Sequence, residues 1–304
     1  MKKIIASDLK RLATEQMNPA AANLDCQSAL GIARIINAED AKVADAVKHA
    51  LPQIARAIDL IAVAISRGGR LIYVGAGTSG RIAALDAAEC PPTFGTEPRS
   101  IQFVIAGGAK ALGRAVEANE DSRALGQREM ARKKPGKHDV VVGIAASGRT
   151  PFTVAAVEYA RRQGAKTISV ACSRNSALGK AAHLAIVAET GPEIVAGSTR
   201  MKAGTAQKMI LNMLTTGAMT RMGLVYGNLM VNVHLKNEKL SERGLRILEK
   251  ATGLGRTQAA ELLARAHRQV PVALIMAKAT VGRTKAVQAL KKAKGNVRKA
   301  VALA

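Results

Sequence analysis

Residues 70–80 read RLIYVGAGTSG, and this stretch decides the fold. Leu71 to Val74 form a short apolar run rich in strand formers, bounded upstream by the helix-stopping pair Gly68-Gly69. A glycine turn follows at once, and then a new helical pattern begins. A strand that runs directly through a glycine turn into a helix is the βα entry of an open α/β sheet.

The same pattern recurs downstream. IQFVIAGG (101–108), DVVVGIAASG (139–148), KTISVACS (166–173) and HLAIVAET (183–190) are each β-branched and each end on small or hydroxyl residues. Helical stretches such as 151–163 lie between them. Nearly continuous apolar strands alternating with helices predict a three-layer α/β architecture: a parallel sheet with helices on both faces and ligands at the C-terminal ends of its strands.

Upstream, Val43, Val47, Leu51, Ile54, Ile58, Ile61 and Ile65 recur at helical spacing, and Pro52 is expected to divide that run into two helices. Downstream come a long apolar helix over 205–223, an amphipathic stretch over 228–253, and a small helical bundle. The bundle's last two helices turn at Gly295-Asn296. The expected division is an N-terminal helical segment (1–56), the α/β domain (57–222) and a C-terminal helical region (223–304).

Composition bounds the function. The chain has 304 residues, 48% of them hydrophobic, enough to bury a sizeable core. Asp8, Lys10 and Arg11 interrupt the first apolar stretch, so neither a signal peptide nor a membrane span is predicted, and a cytoplasmic location is the default. Three widely spaced cysteines and five scattered histidines resemble neither a disulfide framework nor a metal site, and no metal or cofactor is expected. The net charge of +24 raises nucleic acid as a partner, and no acidic residue follows Glu261. Yet aromatics are 2% and tryptophan is absent, so a basic, solvated surface that attracts an anionic substrate outweighs nucleic-acid binding.

Two turns point to that anion. Gly77, Thr78, Ser79 and Gly80 lie between a strand and a helix, where backbone N–H groups and hydroxyls converge on the helix's positive end. Ser147, Arg149 and Thr150 form a second such turn and add a cation. Neither turn carries the complete GxxxxGK[ST] motif of a P-loop, since no lysine stands in either. Serine and threonine also cap helices, which accounts for one such turn taken alone. The pair resembles the sugar isomerase domain, which holds the phosphate of a phosphosugar in this way.

Longer blocks sharpen the match. GAGTSGRIAALDAAECPPTFG (75–95), AVEANEDS (115–122) and GPEIVAGSTRMKAGTAQK (191–208), with TEQMNPAAANLD (14–25) and NEKLSERGLRIL (237–248), resemble in order and spacing the N-acetylmuramic acid 6-phosphate etherases. Met17 stands where that family tends to have arginine, and Ala118-Asn119 replaces a small pair. The resemblance implies ether cleavage by elimination and hydration, with release of (R)-lactate, in cell-wall amino-sugar recycling. It implies Glu89 as proton donor to lactate and Glu120 as the partner acid/base, with Asp86, Glu117 and Asp121 as neighbours able to share the work. Ser198, Thr199, Arg200 and Lys202 would hold charged parts of the substrate, and Glu193 is a secondary candidate.

Elimination needs a base at C2 and an acid at the departing oxygen, so two carboxyl groups suffice, one with a raised pKa. Cys90 has no local histidine partner and is read as a packing residue. An unbroken helix from Ser79 to Glu89 would separate them by about 15 Å. Either that helix ends early or Glu89 serves a neighbouring subunit, so a homodimer with shared sites is expected. The alternatives are a phosphosugar isomerase and a non-catalytic phosphosugar-binding regulatory protein.

Overall fold

The structure is a computed structural model that describes residues 13–235 and 237–304. After three short 3₁₀ turns, the elements in chain order begin with α1 (Ala29–Lys48), α2 (Leu51–Ser66), β1 (Leu71–Gly75), α3 (Gly77–Phe94), β2 (Ile101–Ile105) and α4 (Lys110–Gly113). Next come α5 (Arg123–Arg132), β3 (Val140–Ile144), α6 (Pro151–Arg162), β4 (Lys166–Ala171), α7 (Ala177–Ala181), β5 (Leu184–Val187) and α8 (Lys202–Met222). The chain closes with α9 (Glu238–Thr252), α10 (Arg256–Arg265), α11 (Val270–Ala279), α12 (Arg283–Lys292) and α13 (Val297–Leu303).

All five expected strands form one parallel sheet in the order β2-β1-β3-β4-β5. Their side chains serve two faces, because successive residues of a strand point to opposite sides. Ile72, Val74, Val104 and Val141 pack with Met130 of α5 and with Phe152, Ala156 and Val157 of α6. Tyr73 points to the other face and donates its hydroxyl to Asp86 of α3, which also accepts from Thr215 of α8. Pro52 does divide the N-terminal run: α1 and α2 are bent 63° to one another, and the proline sits where its missing N–H costs nothing, in the first turn of α2.

The chain forms two compact units. The first comprises the residues up to Ala88 together with Arg99–Thr215, so the N-terminal helices and the sheet share it. The second comprises Glu89–Pro98 and Thr216–Ala304. Its core is built from Ile247 and Leu248 of α9, Leu262 and Leu263 of α10, Val272 to Ile275 of α11, and Val297 and Ala300 of α13. Asn296 turns the chain into α13 by accepting the Lys299 N–H, as the Gly-Asn turn predicted. Among the described residues, no single helix is long and apolar enough to cross a membrane.

The helix α3 continues through Pro91 and Pro92 to Phe94. These prolines have no N–H to return to the carbonyls of Ala87 and Ala88, yet the helix persists, and Gly95 N–H closes its end on Pro91 O at 2.9 Å. The alternative that this helix ends before Glu89 is thereby excluded.

Candidate functional site: two turns joined by a glutamate

The first turn follows β1. Gly77 opens α3 with φ +50°, a conformation that side chains disfavour, and a Cβ there would lie 3.1 Å from Oε1 of Glu120. The absence of a side chain thus lets the Glu120 carboxylate sit directly over the turn. Thr78 is half-buried, with its methyl group 3.5 Å from where a Cβ on Gly204 would be. Ser79 is buried and donates its hydroxyl hydrogen to Oε1 of Gln207 at 2.9 Å.

The second turn follows β3. The Ala146 carbonyl accepts the Cys172 N–H at 2.8 Å, and the Gly148 carbonyl accepts the Leu178 N–H at 2.9 Å, so β4 and α7 hold its backbone in place. Ser147 Oγ accepts the Arg149 N–H at 3.3 Å and keeps its own proton for another acceptor. Thr150 stands at the N-cap of α6, but its hydroxyl makes no cap hydrogen bond. The ordinary structural use of a threonine here is therefore absent, leaving its hydroxyl as a donor at a helix's positive end where Pro151 has no N–H and the Phe152 N–H goes to the Glu120 carbonyl.

Glu120 joins the two turns. It follows β2 through α4 and a 3₁₀ turn (Glu117–Asn119), and its backbone carbonyl accepts the Phe152 N–H at 3.0 Å. Phe152 is fully buried in the sheet core, so the carboxylate is carried on a rigid support. Arg81, one residue beyond the first turn, donates to the carbonyls of Ala111 (2.9 Å) and Arg114 (2.8 Å), tying the segment before Glu120 to α3. Sequence reasoning missed this positioning residue, whose signal was an arginine placed directly after the glycine turn. Asp121 is exposed. The Glu117 side chain lies outside the described residues.

Other expected site residues have different partners. Glu193 is fully buried, and its two oxygens accept the N–H groups of Lys202 (2.9 Å) and Ala203 (3.0 Å), capping α8. Lys202 is buried with its ammonium 2.6 Å from Glu39 on α1. Glu39 also receives Asn18 and Lys42. Burial pushes the Glu39 carboxyl up, but the hydrogen bonds from Lys202, Lys42 and Asn18 outweigh it and hold the pKa at about 2. The Lys202 charge is thus already balanced within the protein.

These groups line a cleft of about 1060 Å³ with His49 and Arg174, and neither hydroxyl-bearing turn contributes to its walls. In the same block Ser198 and Thr199 are half-buried and Arg200 is exposed. The Thr199 carbonyl accepts the Gly204 N–H at 3.0 Å, which brings it to the helix turn that faces Thr78.

One turn before Glu89 on α3, Asp86 accepts the Tyr73 hydroxyl at 2.8 Å and the Thr215 hydroxyl at 3.1 Å. Burial pushes its carboxyl up to about 6, against these two hydrogen bonds and the charge of Lys208. Glu89 itself is exposed and belongs to the second unit. Burial also pushes the Cys172 thiol, beside the second turn, up to about 12, so it is no thiolate nucleophile near neutral pH. Cys90 is buried, consistent with a packing role. Among the described residues no three His, Cys, Asp or Glu side chains converge as metal ligands do.

Residues 53–161 match the glucokinase regulatory protein N-terminal SIS domain, and residues 124–217 match the SIS domain. An N-acetylmuramic acid 6-phosphate etherase of Clostridium beijerinckii is 48% identical over 294 residues, covering 97% of each chain. The chain belongs to the N-acetylmuramic acid 6-phosphate etherase family. Two further members of this etherase family are N-acetylmuramic acid 6-phosphate etherase 2 of Vibrio parahaemolyticus and N-acetylmuramic acid 6-phosphate etherase 1 of Bacillus licheniformis. The former is 49% identical, covering 97% of this chain and 98% of its own, and the latter 46% identical, covering 98% of both.

Proposed function

We propose that this chain cleaves the lactyl ether of N-acetylmuramic acid 6-phosphate, giving N-acetylglucosamine 6-phosphate and (R)-lactate in the recycling of cell-wall amino sugars. The observation that carries this reading is the Glu120 carboxylate over Gly77, within the turn suited to a phosphate. The two hydroxyl-bearing turns anchor the phosphate of the open-chain sugar, and Ser198, Thr199 and Arg200 serve its other polar groups.

Glu120 removes the C2 proton, which the adjacent aldehyde acidifies. The electron pair of that C–H bond forms the C2–C3 double bond as the C3–oxygen bond breaks, and Glu89 protonates the departing lactate oxygen. Water then adds at C3, giving its proton to Glu89, while Glu120 returns a proton to C2. Asp86 and Asp121 are neighbouring carboxylates that do not contact this reaction directly. Glu193 supports the site from the cap of α8.

The unbroken α3 puts Ser79 and Glu89 ten residues apart on one helix. That rise is about 15 Å, beyond the span of an open hexose. Glu89 therefore acts in the site of a second copy, and the active species is a homodimer. Lactate release from the muramic acid phosphate tests the reaction. Co-expressed Glu89→Gln and Glu120→Gln chains test the sharing: recovery of activity in the mixed dimer is expected. Its absence, with the mixed dimer isolated intact, would assign both carboxylates to one chain.

A further inference from the structure

Gln207, in the second turn of α8, is fully buried, and no functional role attaches to it in the reading above. Its Oε1 takes the Ser79 hydroxyl hydrogen at 2.9 Å, while its Nε2 has no hydrogen-bond partner among the described residues. Gly204, three residues earlier on the same helix face, abuts the Thr78 methyl group, so this face of α8 lies against the first turn. A buried amide with an unused N–H₂ is uncommon in a folded protein.

Proton counting sharpens the point. Serine has one hydroxyl hydrogen, and while Gln207 Oε1 holds it, Ser79 can offer a phosphate only lone pairs. Turning the amide over by 180° reverses the bond: Nε2–H donates to Ser79 Oγ, and the hydroxyl hydrogen is released to a ligand on the turn. The turned state leaves Oε1 without a donor. In exchange it gains a charge-assisted hydrogen bond to a phosphate oxygen, which is the stronger kind.

We propose that Gln207 is a positioning residue for the substrate phosphate, its amide turning over as a phosphate monoester docks so that Ser79 becomes a donor. This rests on the placement of the phosphate at the 77–80 turn. The test compares lactate release and competition by inorganic phosphate in wild type, Ser79→Ala, Gln207→Met, the double variant and Gln207→Glu. Ser79→Ala should raise KM and the phosphate inhibition constant ~10-fold, with kcat little changed, since one charge-assisted bond is lost, whereas Gln207→Met, which leaves the hydroxyl able to donate but no longer holds its direction, should raise them only ~3-fold. The double variant should be no worse than Ser79→Ala alone, because Gln207 acts on the phosphate only through the Ser79 hydroxyl.

An ionised carboxylate in place of the amide can only accept, so Gln207→Glu should bind phosphate still more weakly at neutral pH. Binding should recover relative to wild type as the pH falls and the introduced acid regains a donor. Additive losses in the double variant, or a Gln207→Glu enzyme with wild-type KM and inhibition constant at neutral pH, would overturn the proposal. Gln207→Met conserves volume, so its double variant with Ser79→Ala remains informative even where Gln207→Glu fails to fold. If Ser79→Ala and Ser147→Ala both leave phosphate inhibition unchanged, the phosphate placement itself is wrong, a result distinct from failure of the amide switch.

Discussion

In the turn after β1 the Ser79 hydroxyl is engaged by Gln207 and the Thr78 methyl packs on α8, whereas in the turn after β3 Ser147 keeps its proton and Thr150 caps nothing. Two stretches that read alike, a strand running into glycine and hydroxyl residues, are thus wired in opposite ways. The first presents backbone and a helix end, with its hydroxyls governed by the helix behind it. The second presents hydroxyls that can act as donors immediately. Hydroxyl content therefore marks a candidate anion site, and the partners already holding each hydroxyl decide which turn can donate to it.

The largest expected effect falls on the residue common to both turns. Glu120→Gln keeps the Phe152 contact, which uses the backbone, and removes the proposed base, so kcat should fall ~10³-fold with the melting temperature little changed. A variant that instead lost substrate affinity at normal kcat would make Glu120 a brace between the turns and nothing more.

The helix that opens on the first turn, α3, carries a buried carboxyl in Asp86. Asp86 has its pKa raised to about 6 in the fold, so the folded chain holds that proton more tightly than the unfolded chain does. Its contribution to stability is complete below pH ~4 and is lost as the pH rises through 6, amounting to at most about 3 kcal/mol. Urea midpoints at pH 4.5 and 7 should show that decline in wild type and its absence in Asp86→Asn. Equal slopes in the two proteins would rule out Asp86 as the source.

Gly77→Ala introduces a side chain at φ +50° against the Glu120 carboxylate. It should lower kcat/KM ~30-fold through strain and displacement of the base. Smallest is the direct contest between the turns. Ser147→Ala should raise KM ~10-fold, for one donor lost to a charged group, while Thr78→Val, which keeps the packed methyl, should change it less than ~3-fold. The reverse order would interchange the roles assigned to the two turns.

Much of this was legible in the chain. All five strands, the break at Pro52 and the Gly295-Asn296 turn depend on local chemistry, and local chemistry is what a sequence displays. The Glu193 cap was not legible, because a carboxylate nine residues before the helix reaches it only through the shape of the intervening loop. Nor was the Glu39–Lys202 pair, whose members are 163 positions apart and which removes from Lys202 the free charge that the substrate reading required. Gln207 stood inside a recognised block, but its relation to Ser79 exists only once α8 is laid beside α3. Pro91 and Pro92 do not end α3, because so near its close they remove only two intrahelical bonds.

Those two prolines have a consequence for how α3 opens. A continuous helix frays by unzipping rung after rung, but here two successive rungs are missing, so loosening of the last turn has no ladder bond to pull on its way back toward the sheet. Deuterium should therefore enter the amides of 93–95 on a timetable of its own, while those from 79 to 86 exchange with the sheet. The helix is one rod in shape and two segments in its breathing, which allows the turn beyond Glu89 to relax without unseating the glycines at its start.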